Sequence, residues 1–370
     1  MLIPMDVFQR AYQVATLVGT HAGLLSSQFI RIQLLKRALS MNLSGLVISE
    51  ATIPRSATSS ENGDPEEGIW YVDRNLVGGF LSGHPRAKSI RCTFRKDHMQ
   101  LSCRRHRLRL LSTEVTGYQT WKRGKSDKLV SFDKGTLERL DTLEAYVSGT
   151  AAADHLNAIR IIKGYGALAT NSFVLGAILD KSLKTTMFAP PRLPRIAVMT
   201  DATKVVASRH GAAVVFADGY AYQEVSENCY TQFPDKQLRS LIDGLQRGTP
   251  EICIPFGVFH EVISQLSSLV FDVGVRNTAV FECTGTQSKG KVTIKLRLPQ
   301  GSTERTFKHT LQQDFQLQWP LRWTQHWVLN LPRDDINEVA CYKTSVGSGF
   351  VAATSDGKRS YVLLVAGIET

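Results

Sequence analysis

The chain has 370 residues, 43% of them hydrophobic and 21% charged, a balance that fits two or three folded domains and excludes a disordered chain. Its 44 Lys and Arg exceed its 33 Asp and Glu for a net charge of +11, a surplus that favours a polyanionic partner. No apolar run approaches the roughly 20 residues of a membrane-spanning helix. The opening residues carry no signal-peptide pattern, and six cysteines without a CxxC pair fit free thiols, so a cytoplasmic, reducing location is expected.

In chain order, residues 5–18 place Phe8, Ala11, Ala15 and Val18 at helical spacing, with Gly19 and Gly23 as terminators. Segments 28–35 and 38–53 alternate as strands, and the polar stretch 56–68 reads as a loop. A second helix is expected over 72–81, followed by a hairpin of 89–94 with 99–111. The middle of the chain starts alike, with a helix over 136–147 and strands at 158–163, 166–170 and 173–179. Its second half differs, because Ala189-Pro-Pro-Arg-Leu-Pro-Arg195 opposes a regular helix where one is due. Strands resume at 204–208, 212–217 and 221–225. In the last third, 255–269 is a helix with Phe259, Val262, Ile263, Leu266 and Leu269 on one face. Strands are expected at 278–283, 291–298 and 306–319, a short helix at 321–331 ended by Pro332, a hairpin of 338–344 with 349–354, and a closing strand at 360–365.

A helix–strands–helix–strands unit of roughly 120 residues thus recurs three times, an internal repeat at domain scale. The boundaries fall at 1–115, 116–245 and 246–370, with the second helix of the middle domain degenerate. Basic and acidic residues number 15 and 9, 16 and 13, and 13 and 11 in the three parts. One stretch is dense: Arg86, Lys88, Arg91, Arg95, Lys96, Arg104, Arg105, Arg107 and Arg109 face Asp97 alone in the basic 86–109 hairpin. Such a face is a solvated hairpin surface or one that meets phosphates or another subunit.

Several patterns carry no chemistry. Gly124-Lys-Ser126 lacks the upstream glycine of a phosphate loop, since position 119 is Gln. Cys92, His98, Cys103 and His106 have no zinc-ligand spacing, and a hairpin would scatter them over two faces. Asp334-Asp335 after Pro332 shapes a turn. Trp319, Trp323 and Trp327 recur every four residues as a packed core would place them. No catalytic, metal or cofactor constellation appears, so neither an enzyme nor a cofactor is expected.

The three units, and local motifs in the same order, resemble the bacterial-type DNA sliding clamp, the beta subunit of the replicative DNA polymerase. Phe315-Gln-Leu-Gln-Trp-Pro-Leu-Arg-Trp-Thr-Gln-His-Trp-Val-Leu-Asn-Leu331 resembles that family's strand and short helix. Tyr361-Val-Leu-Leu-Val-Ala-Gly-Ile368 is similar to its closing strand, and Phe233-Pro234-Asp235 to its Phe-Pro-Asp-Tyr motif. The family's Ala-Thr-Asp-Gly-His-Arg-Leu segment is Ala169-Thr-Asn-Ser-Phe-Val-Leu175 here, and the net charge is positive where the family's is negative. These departures imply a divergent member, with a phage genome as one source.

The resemblance implies an α+β DNA-clamp fold of three repeated domains, each with two helices packed on antiparallel sheets. It implies a head-to-tail homodimer ring around double-stranded DNA, in a bacterial or phage-infected cell near the nucleoid. The ring would tether DNA polymerase and clamp loader through short linear motifs, with no membrane. Helix residues off the core stripes would meet DNA: Arg10, Gln13, Arg74, Asn75, Arg139, Arg192, Arg195, Arg322 and His326. The partner-peptide pocket, carried over position by position, comprises Thr170, Phe173, Leu175, Pro234, Val362, Leu364 and Ile368. The competing expectation is a clamp-fold protein that closes no ring and binds DNA or a replication partner through the 86–109 surface.

Overall fold

In the computed structural model, which describes residues 1–16, 28–44, 47–59, 67–116, 118–270, 272–345 and 347–366, short helices alternate with antiparallel strands. Val18, Gly19, Gly23, most of the 56–68 loop and Ile368 lie outside the described residues. β1 (Leu2–Pro4) runs directly into α1 (Met5–Thr16), which buries Met5, Phe8, Ala11, Val14 and Ala15. β2 (Phe29–Leu34), β3 (Ala38–Ser44), β4 (Val47–Pro54) and β5 (Gly68–Asp73) follow. The Asp73 carboxylate accepts the N–H groups of Asn75 and Leu76 at 2.7 and 3.1 Å, so α2 (Arg74–Ser82) begins only there. β6 (Ser89–Phe94), β7 (His98–Cys103) and β8 (His106–Leu111) complete this part.

β9 (Lys128–Ser131) leads to α3 (Lys134–Asp141), whose start is capped by Asp133 accepting from the Thr136 N–H at 2.8 Å. The expected helix does not run on to 147; Thr142–Tyr146 tightens into a 3-10 turn. Next come β10 (Ile159–Ile162), β11 (Gly166–Thr170), β12 (Val174–Asp180) and β13 (Met187–Ala189). A helix follows where the prolines argued against one: α4 (Leu193–Met199) carries Pro194 in its first turn. The missing proline N–H belongs to a position that has no intrahelical acceptor anyway, so it costs the helix nothing there. β14 (Lys204–Ser208), β15 (Gly211–Phe216) and β16 (Gly219–Glu224) are as expected. α5 (Glu227–Gln232) and α6 (Asp235–Arg247) are additional.

The last part holds β17 (Ile252–Pro255), α7 (Phe256–Ser267), α8 (Val273–Thr278), β18 (Val280–Thr286) and β19 (Lys291–Leu298). Residues 306–319 are not one strand. β20 (Gly301–Lys308) pairs with β19, whereas β21 (Phe315–Pro320) pairs with β18 on the other side. Pro320 opens α9 (Leu321–Leu329), and β22 (Glu338–Thr344), β23 (Gly347–Ala353) and β24 (Arg359–Ala366) close the chain.

The chain divides into two compact units. The first, Met1–Leu137 with Arg192–Glu224, holds a four-stranded sheet in the order β1-β6-β7-β8 and an eight-stranded sheet β5-β2-β3-β4-β16-β15-β14-β9. Its main core joins Phe8, Met5 and Ala15 of α1 to Ile30, Ile32, Met41, Trp70, Ile90 and Leu101 of the sheets. The second, Glu138–Pro191 with Val225–Thr370, holds β13-β10-β11-β12-β24-β23-β22-β17 and the four-stranded β20-β19-β18-β21. All four sheets are antiparallel. Their orders repeat every eight strands: β1-β6-β7-β8 recurs as β9-β14-β15-β16 and again as β17-β22-β23-β24. In the second unit Phe259, Phe281, Trp319 and Phe350 are fully buried, Trp327 nearly so, and Trp323 is half-buried.

Candidate functional site

In the first unit, α1 and α2 lie against each other. The Tyr12 hydroxyl donates to the Arg74 carbonyl at 2.9 Å, and a Cβ on Gly78 would stand 2.6 Å from the Tyr12 oxygen. These two helices carry Arg10 and Gln13 on α1 and Arg74 and Asn75 on α2. Arg10, Gln13 and Asn75 are exposed and Arg74 is half-buried. Arg10 pairs with Asp218 of the β15–β16 turn at 3.3 Å, which holds its guanidinium without burying it. On α4, Arg195 is exposed, while Arg192 is the half-buried N-cap residue.

The second unit treats its expected DNA-contacting residues differently. Arg139 turns inward: its guanidinium lies 3.6 Å from Asp180, whose side chain is only 5% exposed and which Arg359 also approaches at 3.5 Å. His326 likewise turns inward, its Nε2 bonding the Thr142 carbonyl at 3.0 Å while its ring meets Tyr146 edge-on. Both were expected on a solvent-facing stripe, and both instead tie helices to the eight-stranded sheet and the 3-10 turn. Arg322 remains exposed. Its guanidinium stacks 4.4 Å over the Trp323 ring, at the mouth of a cleft of about 490 Å³ lined by Ala145, Asn277, Gln325, Leu329 and Asn330.

The expected peptide pocket falls entirely within the second unit, apart from the undescribed Ile368. β12 pairs with β24 so that Leu175 faces Leu364 and Ala177 faces Val362. One side of this pair is covered by α6 through Leu238, Ile242 and Leu245. The other side takes the Tyr146 ring, which only a glycine at 176 admits, since a Cβ there would stand 2.3 Å from it. Leu175, Val362 and Leu364 are therefore core, at 4%, 0% and 5% exposure. Thr170 is also buried, its hydroxyl donating to the Val174 carbonyl at 2.8 Å.

What stays open is the rim. Asn171 accepts from the N–H groups of Phe173 and Val174 at 3.1 and 3.0 Å, and Ser172 adopts a φ of 77°. This tight turn holds Phe173 out at 71% exposure while its carbonyl accepts from Ala366 N–H at 2.8 Å. Pro234 is half-buried at the start of α6, whose Leu241 is 40% exposed. The residues missed from sequence are those of α6. Their signal was present: Leu238, Ile242 and Leu245 at helical spacing, Asp235 in the first turn, Arg247 in the last and Gly248 beyond.

The basic sheet places its residues cleanly. Cys92 and Cys103 point into the core, and burial pushes the Cys92 thiol up to about 12. His98 sits on the opposite face, its Nδ1 2.8 Å from Asp97. Among the described residues no three His, Cys, Asp or Glu converge as a metal site, and no helix is long and apolar enough to cross a membrane.

No family model matches this chain, and no curated protein does. Solved structures do match over its full length. DNA polymerase III subunit beta from Pseudomonas aeruginosa superposes with a TM-score of 0.77 at 12% identity, covering 100% of this chain and 99% of that one. The DNA polymerase sliding clamp from Bacillus subtilis gives 0.76 at 14%, with 100% and 98% covered. The Helicobacter pylori beta clamp, solved bound to a DNA ligase peptide, gives 0.74 at 12% with both chains fully covered. The chain therefore has the sliding-clamp fold.

Proposed function

We propose that this chain is a DNA sliding clamp: a non-catalytic processivity factor that encircles duplex DNA and tethers a replicative polymerase. The observation that carries the reading is the full-length likeness to clamps, with nearly the whole of each chain covered. The eight-strand repeat supports three domains, 1–115, 116–245 and 246–370, although the chain packs as two units.

The free sheet edges support ring closure. β8 ends the first four-stranded sheet and β20 ends the last, so each leaves a row of backbone donors and acceptors for a neighbour. Joining β8 of one copy to β20 of a second, twice, is a heterologous contact that closes as a head-to-tail dimer. DNA inside such a ring is retained by topology, so its lining needs only weak phosphate contacts that permit sliding. Arg10, Gln13, Arg74, Asn75, Arg192, Arg195 and Arg322 form that lining, without Arg139 and His326. The polymerase and loader dock by short linear motifs on the rim of Phe173, Pro234 and α6, with Phe173 as the exposed anchor. Val362 and Leu364 support the rim from beneath.

Light scattering at micromolar concentration tests the ring directly. A mass twice that of the chain is expected, and a monomer would remove the basis for topological retention.

A further inference from the structure

The ring assigns roles to the helices, to the edges β8 and β20 and to the turn around Phe173. It leaves the densest charge of the chain unused. Ile90, Cys92, Met99, Leu101, Cys103 and Leu110 turn into the core, so the alternate residues of β6, β7 and β8 lie on the outward face. Arg91 pairs with Ser102, and Ser102 with Arg107, so one row across the three strands reads Arg-Ser-Arg. Just beyond that row the turn of Arg104 and Arg105 joins β7 to β8, and Arg86 and Lys88 lead into β6 at the same end. All six cations are exposed. The opposite end differs, since there Asp97 lies 3.4 Å from Arg109 and 2.8 Å from His98.

The turn is informative in itself. Cys103 pairs with His106, so only two residues link the strands, and Arg104 takes a φ of 56°. Two-residue hairpins favour Asn-Gly because a larger side chain resists the left-handed conformation. Here a strained position holds a guanidinium, the kind of outlier that marks a functional surface.

We propose that the end of this sheet formed by Arg86, Lys88, Arg91, Arg104, Arg105 and Arg107 binds the phosphodiester backbone of nucleic acid outside the ring. Five of the six are arginines, whose planar forks suit phosphate oxygens. Neighbouring strands lie about 4.8 Å apart, a spacing that spreads the charges along a polyanion instead of focusing them on one anion. An acidic protein segment would also need an apolar anchor. Among the described residues the three strands carry one large exposed apolar side chain, Leu111, and it lies at the other end opposite His98. The site does not require a ring, because every contributing residue comes from one sheet.

The test uses the full chain and a fluorescent linear duplex of about 12 base pairs, too short for topological retention, titrated by anisotropy across a salt series. The Arg104→Ala/Arg105→Ala/Arg107→Ala variant should bind more weakly and flatten the slope of log affinity against log salt by about 2.7, near 0.9 per lost phosphate contact. The corresponding triple lysine variant should keep most of that slope, which separates charge from folding, and melting curves check both. Poly-glutamate at equal charge should compete poorly. An unchanged slope in the alanine variant overturns the proposal. So does displacement of the duplex by poly-glutamate, which would make an acidic polypeptide the partner. The mass of each variant reports on the ring separately, so failure of one reading is not failure of the other.

Discussion

The outward end of the β6–β8 sheet and the helix faces that would line a ring carry the same kinds of side chain at different densities. On the sheet, six cations stand exposed around a two-residue turn. On the helices the candidate cations are fewer: Arg10 pairs with Asp218, Arg322 stacks on Trp323 and Arg195 is exposed, while Arg139 and His326 turn inward to Asp180 and the Thr142 carbonyl. The contrast separates charge density from the proposed encirclement of DNA, since the two fall on different surfaces. A ring that must slide gains from sparse cations, whereas a surface that grips a polyanion gains from dense, exposed ones. A net charge of +11 describes the second property more than the first.

The largest way to sharpen this contrast lies in the second unit. Asp180→Ala would leave Arg139 and Arg359 facing each other without their shared carboxylate, and should cost about 2–3 kcal/mol in denaturant unfolding. A loss below about 0.5 kcal/mol would return Arg139 to the candidate lining. The next effect is on the sheet. Between 50 and 200 mM salt, the loss of duplex affinity should be about 40-fold smaller for the Arg104/Arg105/Arg107 alanine variant than for the parent chain. The equivalent variant of Arg10, Arg195 and Arg322 should change that loss far less. Equal effects would dissolve the contrast.

A third change leaves the charge of both regions alone. Phe173→Ala, at a side chain 71% exposed, should weaken a partner peptide by about tenfold in calorimetry while leaving the melting temperature unchanged. Unchanged affinity would remove Phe173 as the anchor. The smallest effect concerns strain. Arg104→Gly relieves the left-handed arginine and should stabilise the chain by about 0.5–1 kcal/mol in denaturant unfolding, while weakening duplex binding. A destabilised glycine variant would mean that the turn is not strained.

Most of the element order was legible because each element carries local punctuation. α1 shows its stripe, and Pro255 and Pro320 stand at helix starts. The hairpin residues alternate as β6 and β7 require. Proline density reads as a breaker, yet α4 forms because Pro194 stands in its first turn. The site was less legible, because facing is a tertiary property. Alternation identifies β24 as a strand but does not reveal that α6 covers Val362 and Leu364. A helical wheel places His326 and Arg139 off the core stripe, and only packing against Thr142 and Asp180 turns them inward. Motif position makes Phe173 a candidate for the pocket, whereas its exposure depends on the Asn171 turn, which no spacing rule reports.

Retention on DNA distinguishes encirclement from surface binding. Protein equilibrated with nicked circular duplex at low salt, then washed at about 0.5 M salt to screen surface contacts, should remain on the circles and leave when a single cut makes them linear. Equal loss from intact circles and linear duplex in that wash would show that nothing encircles the DNA, and would contradict the clamp.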